Sequence, residues 1–406
     1  MIRDCIDVLH AVTSSLSLVL LRGQLGYLKA AGFCPAALSS PGPRVDNMRA
    51  EEHIPVFTVQ MQREISPARD LLSLLLLWRL LRRLRPAICN VGTPKAGLLV
   101  GLAAWFNRVP CRIYTLRGLR LETATGAKRR ILHLTERIAC ACAHRVVCVS
   151  PSLRQRVVEF GLVRWEKTVI LGSGSSNGID CSHFAPTPDK IARANEIGCK
   201  LGIEPGHPVV GYIGRFTRDK GVPELLTAFR LVRQRFPDAR LLLIGSYEQS
   251  DPVPPETRAA IDNDPGVMHI DFTPDTAPYY LLMDVFVLPT HREGFPNTVL
   301  EAQAARRPVV TTRATGATDA VCHGVTGFVV PVNDAAAMAD ALGVLLSDRG
   351  LAERMGRAGC ERVSKEFQQE IIWKELLVFY RDLMTERGLP VPVTLSAEDR
   401  MCVKEQ

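Results

Sequence analysis

The chain has 406 residues, of which 47% are hydrophobic and 23% are charged, and its formal net charge is +8. This composition is that of a soluble globular protein, and the length favours two domains over one. The positive charge favours anionic partners, but the chain has no zinc-finger spacing and no arginine–aromatic alternation. We therefore expect no nucleic-acid partner.

The twelve cysteines are scattered, form no CxxC pair and sit mostly in apolar runs such as "IACACA". Such cysteines behave as small hydrophobic residues, which predicts a reduced protein rather than a disulfide scaffold. The start, "MIRDCIDVLHAVTSSLSLVLLRG", is interrupted by Asp4, Asp7 and His10 and lacks a small-residue cleavage site, so we do not interpret it as a signal peptide. A cytoplasmic location is expected.

Short apolar runs alternate with longer helical stretches in the first half of the chain, which predicts βαβ units and a parallel sheet. The predicted strands are "DVLHAV", "AICNV", "CRIYTL", "RVVCVS" and "TVIL", with helices at Lys95 to Phe106 and Lys128 to Ala143. The segment "DLLSLLLLWRLLRRLRP" is too short to span a bilayer. Ser66 and Pro67 start it and Pro86 stops it, so we predict a helix buried against the sheet.

The stretch "GSGSSNGIDCSHFAPTPD" has the composition of a domain junction, and a second alternation follows it. Its predicted strands are "VVGYIGRF", "ARLLLIG", "GVMHIDF", "DVFVLPT", "PVVTTR" and "GFVVPV". Successive helices come after Asp334, and the last, near 369–384, is amphipathic. We predict two Rossmann-like halves with a cleft between them: domains at 1–182 and 183–366, a C-terminal helix at 367–388 and a poorly ordered tail at 389–406.

Candidate anion-binding residues follow the first strand of the second half. In "GYIGRFTRDKG", Arg215 lies just past the strand and Lys220 just before a helix that starts near Val222. Free amides at a helix N-terminus, an arginine fork and a lysine charge together suit a diphosphate, and Gly214 allows close backbone approach. Ordinary solvated surface cations are the alternative. "GSGSSNG" falls short of the dinucleotide fingerprint because a third glycine and a following helix are missing.

Two carboxylates lie in "HREGFPNTVLEAQAARRPVV", after the predicted strand "DVFVLPT". Glu301 can also be interpreted as a purely structural residue, because Thr298 and Glu301 have the spacing of a capping box. Glu293 precedes the helix and lies at a strand end, where open α/β sheets bind ligands. The two cations and two carboxylates suit a nucleoside diphosphate joined to a polyol.

These motifs resemble the retaining glycosyltransferases of family 4, which have the GT-B fold. The resemblance rests on E-x7-E from Glu293 to Glu301 and on "GRFTRDKG". It extends over nearly the whole chain through "GQLGYLKAAGF", "GTPKAGLLVGLAA", "VSPSL", "SNGID" and "GVTGFVVP". It implies an α/β protein of two Rossmann-like domains with parallel sheets facing a central cleft. The first domain would bind the acceptor, the second the donor, and the C-terminal helix would return towards the first domain.

The resemblance also implies roles for individual residues. Arg215 and Lys220 would bind the donor diphosphate and stabilise the leaving group, and Glu301 would bind the ribose. Glu293 would contact the donor sugar, so that Glu293, Arg215 and Lys220 are the candidate catalytic residues. The remaining candidate donor contacts are Gly214, Gly294, Phe295, Pro296 and Asn297. No cofactor or metal is expected, since Arg215 and Lys220 can supply the electrostatic stabilisation that a metal gives.

The first domain departs from the family in one place. Many relatives carry a histidine in an "HG" turn, whereas here "YTLRGLRLE" has Arg117 before Gly118. Arginine cannot act as a base. His10, Lys95 and Arg117 are the candidates for acceptor or donor contacts in this domain, although a lone histidine in a strand is more often a hydrogen-bonded core residue.

The resemblance points to enzymes that extend lipid-linked glycans for surface polysaccharide or glycoprotein. The implied reaction moves a hexose or N-acetylhexosamine from a nucleotide sugar to a polyprenyl-diphosphate-linked acceptor. The expected nucleotide is UDP. An anionic membrane surface, the cytoplasmic face of the inner membrane, is a further candidate partner. It rests on a basic region, for which an ordinary solvated face is the alternative: Arg112, Arg117, Arg120, Lys128, Arg129, Arg130, Arg137 and Arg145.

Other functions remain open on the same fold. A non-catalytic sugar-nucleotide-binding scaffold is one, and a nucleotide-sugar epimerase or a phosphorylase is another. A sucrose- or trehalose-type transferase also fits the residues. Product analysis without an acceptor distinguishes the epimerase from the transferases.

Overall fold

The computed structural model describes residues 6–62, 66–248 and 251–392, which fall into two compact α/β units. Unit 1 runs to Asn177 and resumes at Gln369, and unit 2 is Gly178–Gln368. The part of the predicted disordered tail from 393 onward lies outside the described residues.

The elements of unit 1 alternate as the sequence pattern predicts. In chain order they are β1 (Val8–Ala11), α1 (Gln24–Ala30), β2 (Pro35–Ser39), α2 (Arg44–Glu52), β3 (Val56–Thr58), α3 (Pro67–Leu84), β4 (Ile88–Val91), α4 (Pro94–Phe106), β5 (Cys111–Leu116), α5 (Gly126–Cys142), β6 (Arg145–Cys148), α6 (Pro151–Glu159) and β7 (Thr168–Val169). Three 3-10 turns accompany them, at Ser15–Leu21, Arg120–Glu122 and Trp165–Lys167.

Unit 2 repeats the alternation. Its elements are α7 (Cys181–Phe184), α8 (Pro188–Lys200), β8 (Val209–Ile213), α9 (Val222–Arg235), β9 (Arg240–Ile244), α10 (Pro255–Asn263), β10 (Val267–Ile270), α11 (Ala277–Leu282), β11 (Val285–Leu288), α12 (Asn297–Ala304), β12 (Val309–Thr312), α13 (Ala317–Ala320), β13 (Gly327–Val330), α14 (Ala335–Ser347) and α15 (Arg349–Glu366). A 3-10 turn, Arg218–Lys220, precedes α9, and the last helix, α16 (Gln369–Glu386), belongs to unit 1.

Each unit is built on one parallel sheet in the described residues. The order is β3-β2-β1-β4-β5-β6-β7 in unit 1 and β10-β9-β8-β11-β12-β13 in unit 2. Strands β1, β4, β8 and β11 are buried along their whole length. Such strands read as continuous apolar runs because helices cover both faces of a parallel sheet. The prediction of two Rossmann-like halves is therefore confirmed.

Two strands of unit 1 were absent from the predictions. Strand β2 reads "PAALS" and β3 reads "VFT". The first consists mainly of small residues and begins with a proline, and the second has three residues. Neither carries the β-branched run that identifies a strand in isolation. Pairing with β1 and with each other holds them in the sheet.

The boundary between the units follows a backbone contact. The Ile179 amide donates to the Phe367 carbonyl at 2.9 Å, and the Cys181 amide donates to Gln368 at 3.1 Å. Unit 2 therefore starts at residue 178 and ends at residue 368. The sequence predicted a start at residue 183 and an end at residue 366. The difference arises because the hydrogen bonds between residues 179–181 and 367–368 hold both segments in unit 2.

Helix α16 closes the core of unit 1. Its Tyr380 is fully buried in a cluster with Val8, Leu25 and Leu376. The Tyr380 hydroxyl lies 2.7 Å from His10 Nε2 on β1 and accepts a 2.7 Å hydrogen bond from Asn90 on β4. The helix is therefore joined to the centre of the sheet by both apolar packing and hydrogen bonds.

Helix α3 forms over the predicted segment, but it is not a buried helix. Ser73, Leu77 and Leu81 face the interior, while Leu71 and Leu72 are 60% and 59% exposed. The prediction of burial was wrong because residues 71–77 are apolar on every side except at Ser73, and only one side of a helix can pack on the sheet.

Candidate active site

The candidate donor residues lie at the switch point of the unit 2 sheet. The chain leaves β8 towards β9 on one side, and it leaves the neighbouring β11 towards β12 on the other. Ligands of open α/β sheets bind at the carboxyl ends of strands where the connections diverge in this way. Arg215 and Lys220 follow β8, and Glu293 follows β11. The fold thus places the two predicted groups side by side.

Lys220 and Glu293 form an ion pair with each other. Their side chains are only 14% and 16% exposed, so the pair is largely removed from water. Gly221, which has a φ of 69°, follows Lys220 and is the N-cap of helix α9, which begins at Val222. A Cβ at Gly221 would lie 2.0 Å from the Pro289 carbonyl oxygen, so the turn that carries Lys220 packs directly against the end of β11.

Asp219 holds the same turn to the loop of Glu293. Its carboxylate accepts 2.6 Å hydrogen bonds from Thr217 and from Arg292, and its carbonyl accepts one of 2.8 Å from the His291 amide. Burial alone would raise the pKa of Asp219, but the Thr217 hydroxyl and the Arg292 guanidinium hold it below its ordinary value. Asp219 and Arg292 therefore fix the relative positions of Lys220 and Glu293.

Arg215 is half-exposed and forms an ion pair with Glu248, which lies beyond β9. Its backbone carbonyl accepts a 2.8 Å hydrogen bond from the buried Tyr212 hydroxyl. A Cβ on Gly214 would lie 2.8 Å from that hydroxyl oxygen, so the glycine is needed where the chain leaves β8. An arginine has five N–H donors, and its remaining donors can bind an anion while the carboxylate orients the side chain.

The turn at 294–297 is held from two sides. The Glu293 amide donates to the Thr315 carbonyl at 2.8 Å, and a Cβ at Gly316 would lie 2.3 Å from the Gly294 carbonyl oxygen. Phe295 packs against Phe367, with ring centroids 5.1 Å apart. The Phe295 side chain is thus a core contact that anchors the turn, and the donor contact predicted for this turn stays a prediction.

Helix α12 begins at Asn297 with Pro296 as its N-cap, and no side chain caps its first amides. The capping box predicted for Thr298 and Glu301 is therefore wrong. The Asn297 Oδ1 atom is buried and has no hydrogen-bond partner among the described residues. Uncapped amides and an unsatisfied amide group leave this helix end able to bind a polar ligand.

Glu301 makes its hydrogen bond further inside the unit. Its Oε2 accepts a 2.8 Å hydrogen bond from the hydroxyl of the fully buried Tyr280. Burial raises the pKa of Glu301 to about 7, against the opposing effect of the Tyr280 hydrogen bond. A carboxyl group with a raised folded-state pKa stabilises the fold at low pH, and this contribution is lost as the pH rises towards 7.

Sequence reasoning missed four residues of this site: Asp219, Arg292, Glu248 and Tyr280. Asp219 and Arg292 are the sequence neighbours of Lys220 and Glu293, so a search for charges that flank the motif could have found them. Glu248 and Tyr280 lie on other loops and helices, and no local signal indicates them.

The three candidates in unit 1 each have a partner within that unit. His10 is buried, and burial together with the nearby Arg117 charge lowers its pKa to about 3, so it is a neutral core residue. Lys95 forms a 2.6 Å ion pair with Asp70. Arg117 donates to the Gly92 carbonyl at 2.7 Å and to the Ser176 hydroxyl.

Burial lowers the pKa of Arg117 to about 10, so it stays charged at neutral pH. It directly follows β5, at the carboxyl end of that strand. A fixed positive charge, rather than a base, therefore stands at this edge of the unit 1 sheet.

The predicted basic region divides in two. Arg112 turns inward and donates to the Cys142 and Val109 carbonyls at 2.7 and 2.8 Å, and Arg145 forms an ion pair with Glu386. The exposed members are Arg120, in a 3-10 turn, and the four basic residues of α5. In the part of the chain that the structure describes, no helix is both long and apolar enough to cross a bilayer.

Comparison with known proteins gives the chain a family. Residues 207–348 match the family model described as glycosyl transferases group 1, and residues 19–174 match the glycosyl transferase 4-like domain. The capsular polysaccharide biosynthesis glycosyltransferase CapM of Staphylococcus aureus is 38% identical over 380 residues, which are 93% of this chain and 98% of that protein.

Two further proteins are similar over most of their length. The UDP-Gal:alpha-D-GlcNAc-diphosphoundecaprenol alpha-1,3-galactosyltransferase of Escherichia coli is 25% identical over 298 residues, 73% of this chain and 75% of that one. The crystal structure of Anabaena Alr3699/HepE in complex with UDP and glucose superposes with a TM-score of 0.76 at 18% identity, covering 92% and 99% of the two chains. The chain belongs to the group 1 glycosyltransferases with a family 4-like first domain, and it is a glycosyltransferase of the GT-B fold.

Proposed function

We propose that this enzyme moves a hexose or N-acetylhexosamine from a UDP-sugar to a polyprenyl-diphosphate-linked glycan in cell-surface polysaccharide biosynthesis, with retention of anomeric configuration. The observation that carries the proposal is the ion pair of Lys220 and Glu293 at the sheet's switch point, next to Arg215 and the free N-termini of α9 and α12. The S. aureus relative is named for capsular polysaccharide biosynthesis, and the E. coli relative for a diphosphoundecaprenol-linked acceptor. The first name supports the biosynthetic process, and the second supports the acceptor class.

The residues suit the charge that develops in sugar transfer. The bond between the anomeric carbon and the phosphate oxygen breaks, which leaves positive character on the sugar and negative charge on the diphosphate. Lys220, Arg215 and the α9 amides would stabilise the diphosphate, because preorganised donors aimed at developing charge are the largest common catalytic effect. Glu293 would accept hydroxyl groups of the sugar.

Attack then occurs on the face that the leaving group has vacated. The acceptor oxygen bonds to the anomeric carbon, and its proton passes to the departing diphosphate. In this proposal no protein base is required, which agrees with a His10 whose pKa of about 3 makes it a weak base and with a charged Arg117. Independence of metal ions is part of the proposal, and transfer rates with and without EDTA test it.

The reaction is tested with the purified enzyme, a panel of UDP-, GDP- and ADP-sugars, and an undecaprenyl-diphosphate-linked glycan. We expect transfer from a UDP-sugar to the lipid-linked glycan. The anomeric configuration of the new linkage, determined by NMR of the product, should be the same as that of the donor sugar. Conversion of the donor to an isomer without acceptor would identify an epimerase. Tight nucleotide binding without turnover of any donor would identify a scaffold.

The raised pKa of Glu301 predicts how UDP binding changes with pH. Below about pH 7 the carboxyl group is mostly protonated, and it becomes a full acceptor for ribose hydroxyls only as the pH rises through that value. We expect the affinity for UDP to rise by up to about tenfold between pH 6 and pH 8, the ratio of ionised fractions for such a group. Isothermal titration calorimetry measures it.

The control for this prediction is Glu301→Gln, which keeps the side-chain shape and cannot titrate. Ionisation of the UDP phosphate contributes equally to both proteins, so the difference between their pH profiles isolates Glu301. Parallel profiles for the variant and the wild type would contradict a ribose contact by this carboxylate.

A further inference from the structure

Four leucines on α3 face the solvent. Leu71, Leu72, Leu75 and Leu76 are 60%, 59%, 48% and 42% exposed. They are spaced as two pairs four residues apart, so they form one stripe over two helical turns. Single exposed apolar residues are ordinary on protein surfaces, but a contiguous apolar stripe marks an interaction site.

The helices next to α3 extend this apolar character. Helix α4 packs against α3, and α5 packs against α4. Trp105 and Phe106 at the end of α4 are about half exposed, as are Ile131 and Leu134 on α5. The outer layer of the unit 1 sheet therefore exposes large apolar side chains on three neighbouring helices.

The same three helices carry a large excess of positive over negative side chains. They contain nine lysines and arginines, but only Asp70 and Glu136 as acids, whereas the whole chain has a net charge of +8. Both acids face inward, Asp70 to Lys95 at 2.6 Å and Glu136 to the Tyr114 hydroxyl at 2.8 Å.

The cations of the layer point outward. All of the following are exposed, and within the described residues none forms an ion pair with a carboxylate: Arg79, Arg82, Arg83, Lys128, Arg129, Arg130 and Arg137. Arg82 instead lies over the Trp78 ring, 5.3 Å from its centroid. Exposed cations without a carboxylate partner among the described residues therefore lie on the same helix layer as the exposed leucines.

The combination of positive charge and exposed apolar side chains indicates which partner fits the surface of α3, α4 and α5. The buried centre of a protein–protein interface is depleted in charge, whereas here arginines continue the leucine stripe along the same helix. A lipid surface accommodates both, because leucine and aromatic side chains enter the acyl boundary while lysine and arginine reach the phosphate headgroups. Anionic lipid adds a favourable term for each cation near the surface.

We propose that the layer formed by α3, α4 and α5 lies on an anionic lipid bilayer, with Leu71, Leu72, Leu75 and Leu76 inserted and the arginines of α3 and basic residues of α5 at the headgroups. The first turns of α3 and α4 meet through the Asp70–Lys95 pair, next to the carboxyl end of β4. The surface would therefore keep this edge of unit 1 close to the membrane. The relevance of this position to a lipid-linked acceptor rests on the proposed function, whereas binding of the protein to lipid does not depend on a substrate.

Vesicle flotation of the full-length protein tests the contact. The vesicles contain phosphatidylcholine alone or phosphatidylcholine with about one third phosphatidylglycerol. We expect binding to the anionic vesicles, weakening as salt is raised because surface charges are screened. Replacing the four leucines by glutamine, which keeps helix propensity, is expected to lower the partition coefficient by at least about tenfold. The triple change Arg79→Gln, Arg82→Gln and Arg83→Gln is expected to do the same.

Matched variants in unit 2 control for exposure and charge. The apolar control replaces the exposed Ile191, Phe272, Val325 and Val344 by glutamine, and the charge control replaces the exposed Arg349, Arg354 and Arg357 of α15. Both should bind vesicles as the wild type does. Thermal melting and UDP affinity verify that every variant is folded.

Three outcomes would overturn the proposal. The first is an absence of wild-type binding to anionic vesicles. The second is unchanged binding by both α3 variants. The third is a change in oligomeric state of the leucine variant, by light scattering, with vesicle binding intact, which would assign the face to a second copy of the chain. None of these results depends on transferase activity, so they are distinct from a failure of the proposed function.

Discussion

Lys220→Ala is expected to lower kcat/KM for the sugar nucleotide by about 10²- to 10³-fold, the range found when one preorganised donor to developing negative charge is removed. Lys220 is 14% exposed and lies at the start of α9, so water cannot replace its charge without disturbing the packed turn. The dissociation constant of UDP should rise by about 10- to 100-fold, as expected for a charge-assisted hydrogen bond to phosphate. Steady-state kinetics and calorimetry measure the two quantities.

The matched control is Arg233→Ala. Arg233 forms a 2.6 Å ion pair with Asp264 in the same unit, is also partly buried, and lies near the other end of α9. This variant should lose stability to a similar extent but keep its UDP affinity and turnover. If Lys220→Ala retained UDP affinity within about threefold, a diphosphate contact by Lys220 would be excluded.

Glu293→Gln is expected to separate binding of the nucleotide from transfer of the sugar. The change removes the carboxylate that would accept sugar hydroxyls, and loss of such charge-assisted bonds should lower kcat/KM by about 10²-fold. UDP itself has no sugar at this position. Its affinity should stay within about threefold or increase, because the Lys220 ammonium would lose its partner and be free for phosphate.

Asp264→Asn serves as the control, since it neutralises the carboxylate of the Arg233 pair and leaves the site intact. Turnover of this variant should match that of the wild type. A parallel loss of UDP affinity and turnover in Glu293→Gln would assign Glu293 to support of Lys220 rather than to the sugar.

Only Lys220→Ala is expected to weaken nucleotide binding, whereas both variants are expected to lower turnover. This contrast follows from the ion pair that the two side chains form. In the proposed reaction, donor binding would replace that pair with contacts to phosphate on one side and sugar on the other, and the pair would hold both groups in place before the donor arrives.

The sequence by itself determined the fold class and the location of the candidate site. Buried strands of a parallel sheet are continuous apolar runs, which is why β1, β4, β8 and β11 were recognisable and why the two Rossmann-like units followed. Strand ends bind ligands in such sheets, so Arg215, Lys220 and Glu293 could be selected from their positions alone.

Only the tertiary structure decided which groups pair. The Lys220–Glu293 and Asp219–Arg292 contacts join residues 73 positions apart, and the Glu301–Tyr280 hydrogen bond joins residues 21 apart. Local spacing predicted a capping box for Glu301, but the long-range contact with Tyr280 is the one the structure shows, and it accompanies the burial that raises the pKa of Glu301.

The orientation of α3 was likewise a property of the tertiary structure. Periodicity predicts a helix, yet leucines occur on every side of it over residues 71–77, so they carry no signal of which side will face the sheet. Packing of Leu77 and Leu81 against unit 1 settles that question and leaves Leu71, Leu72 and their neighbours outside. The sequence determined that these leucines are helical, and the packing of one helix face determined that they are exposed.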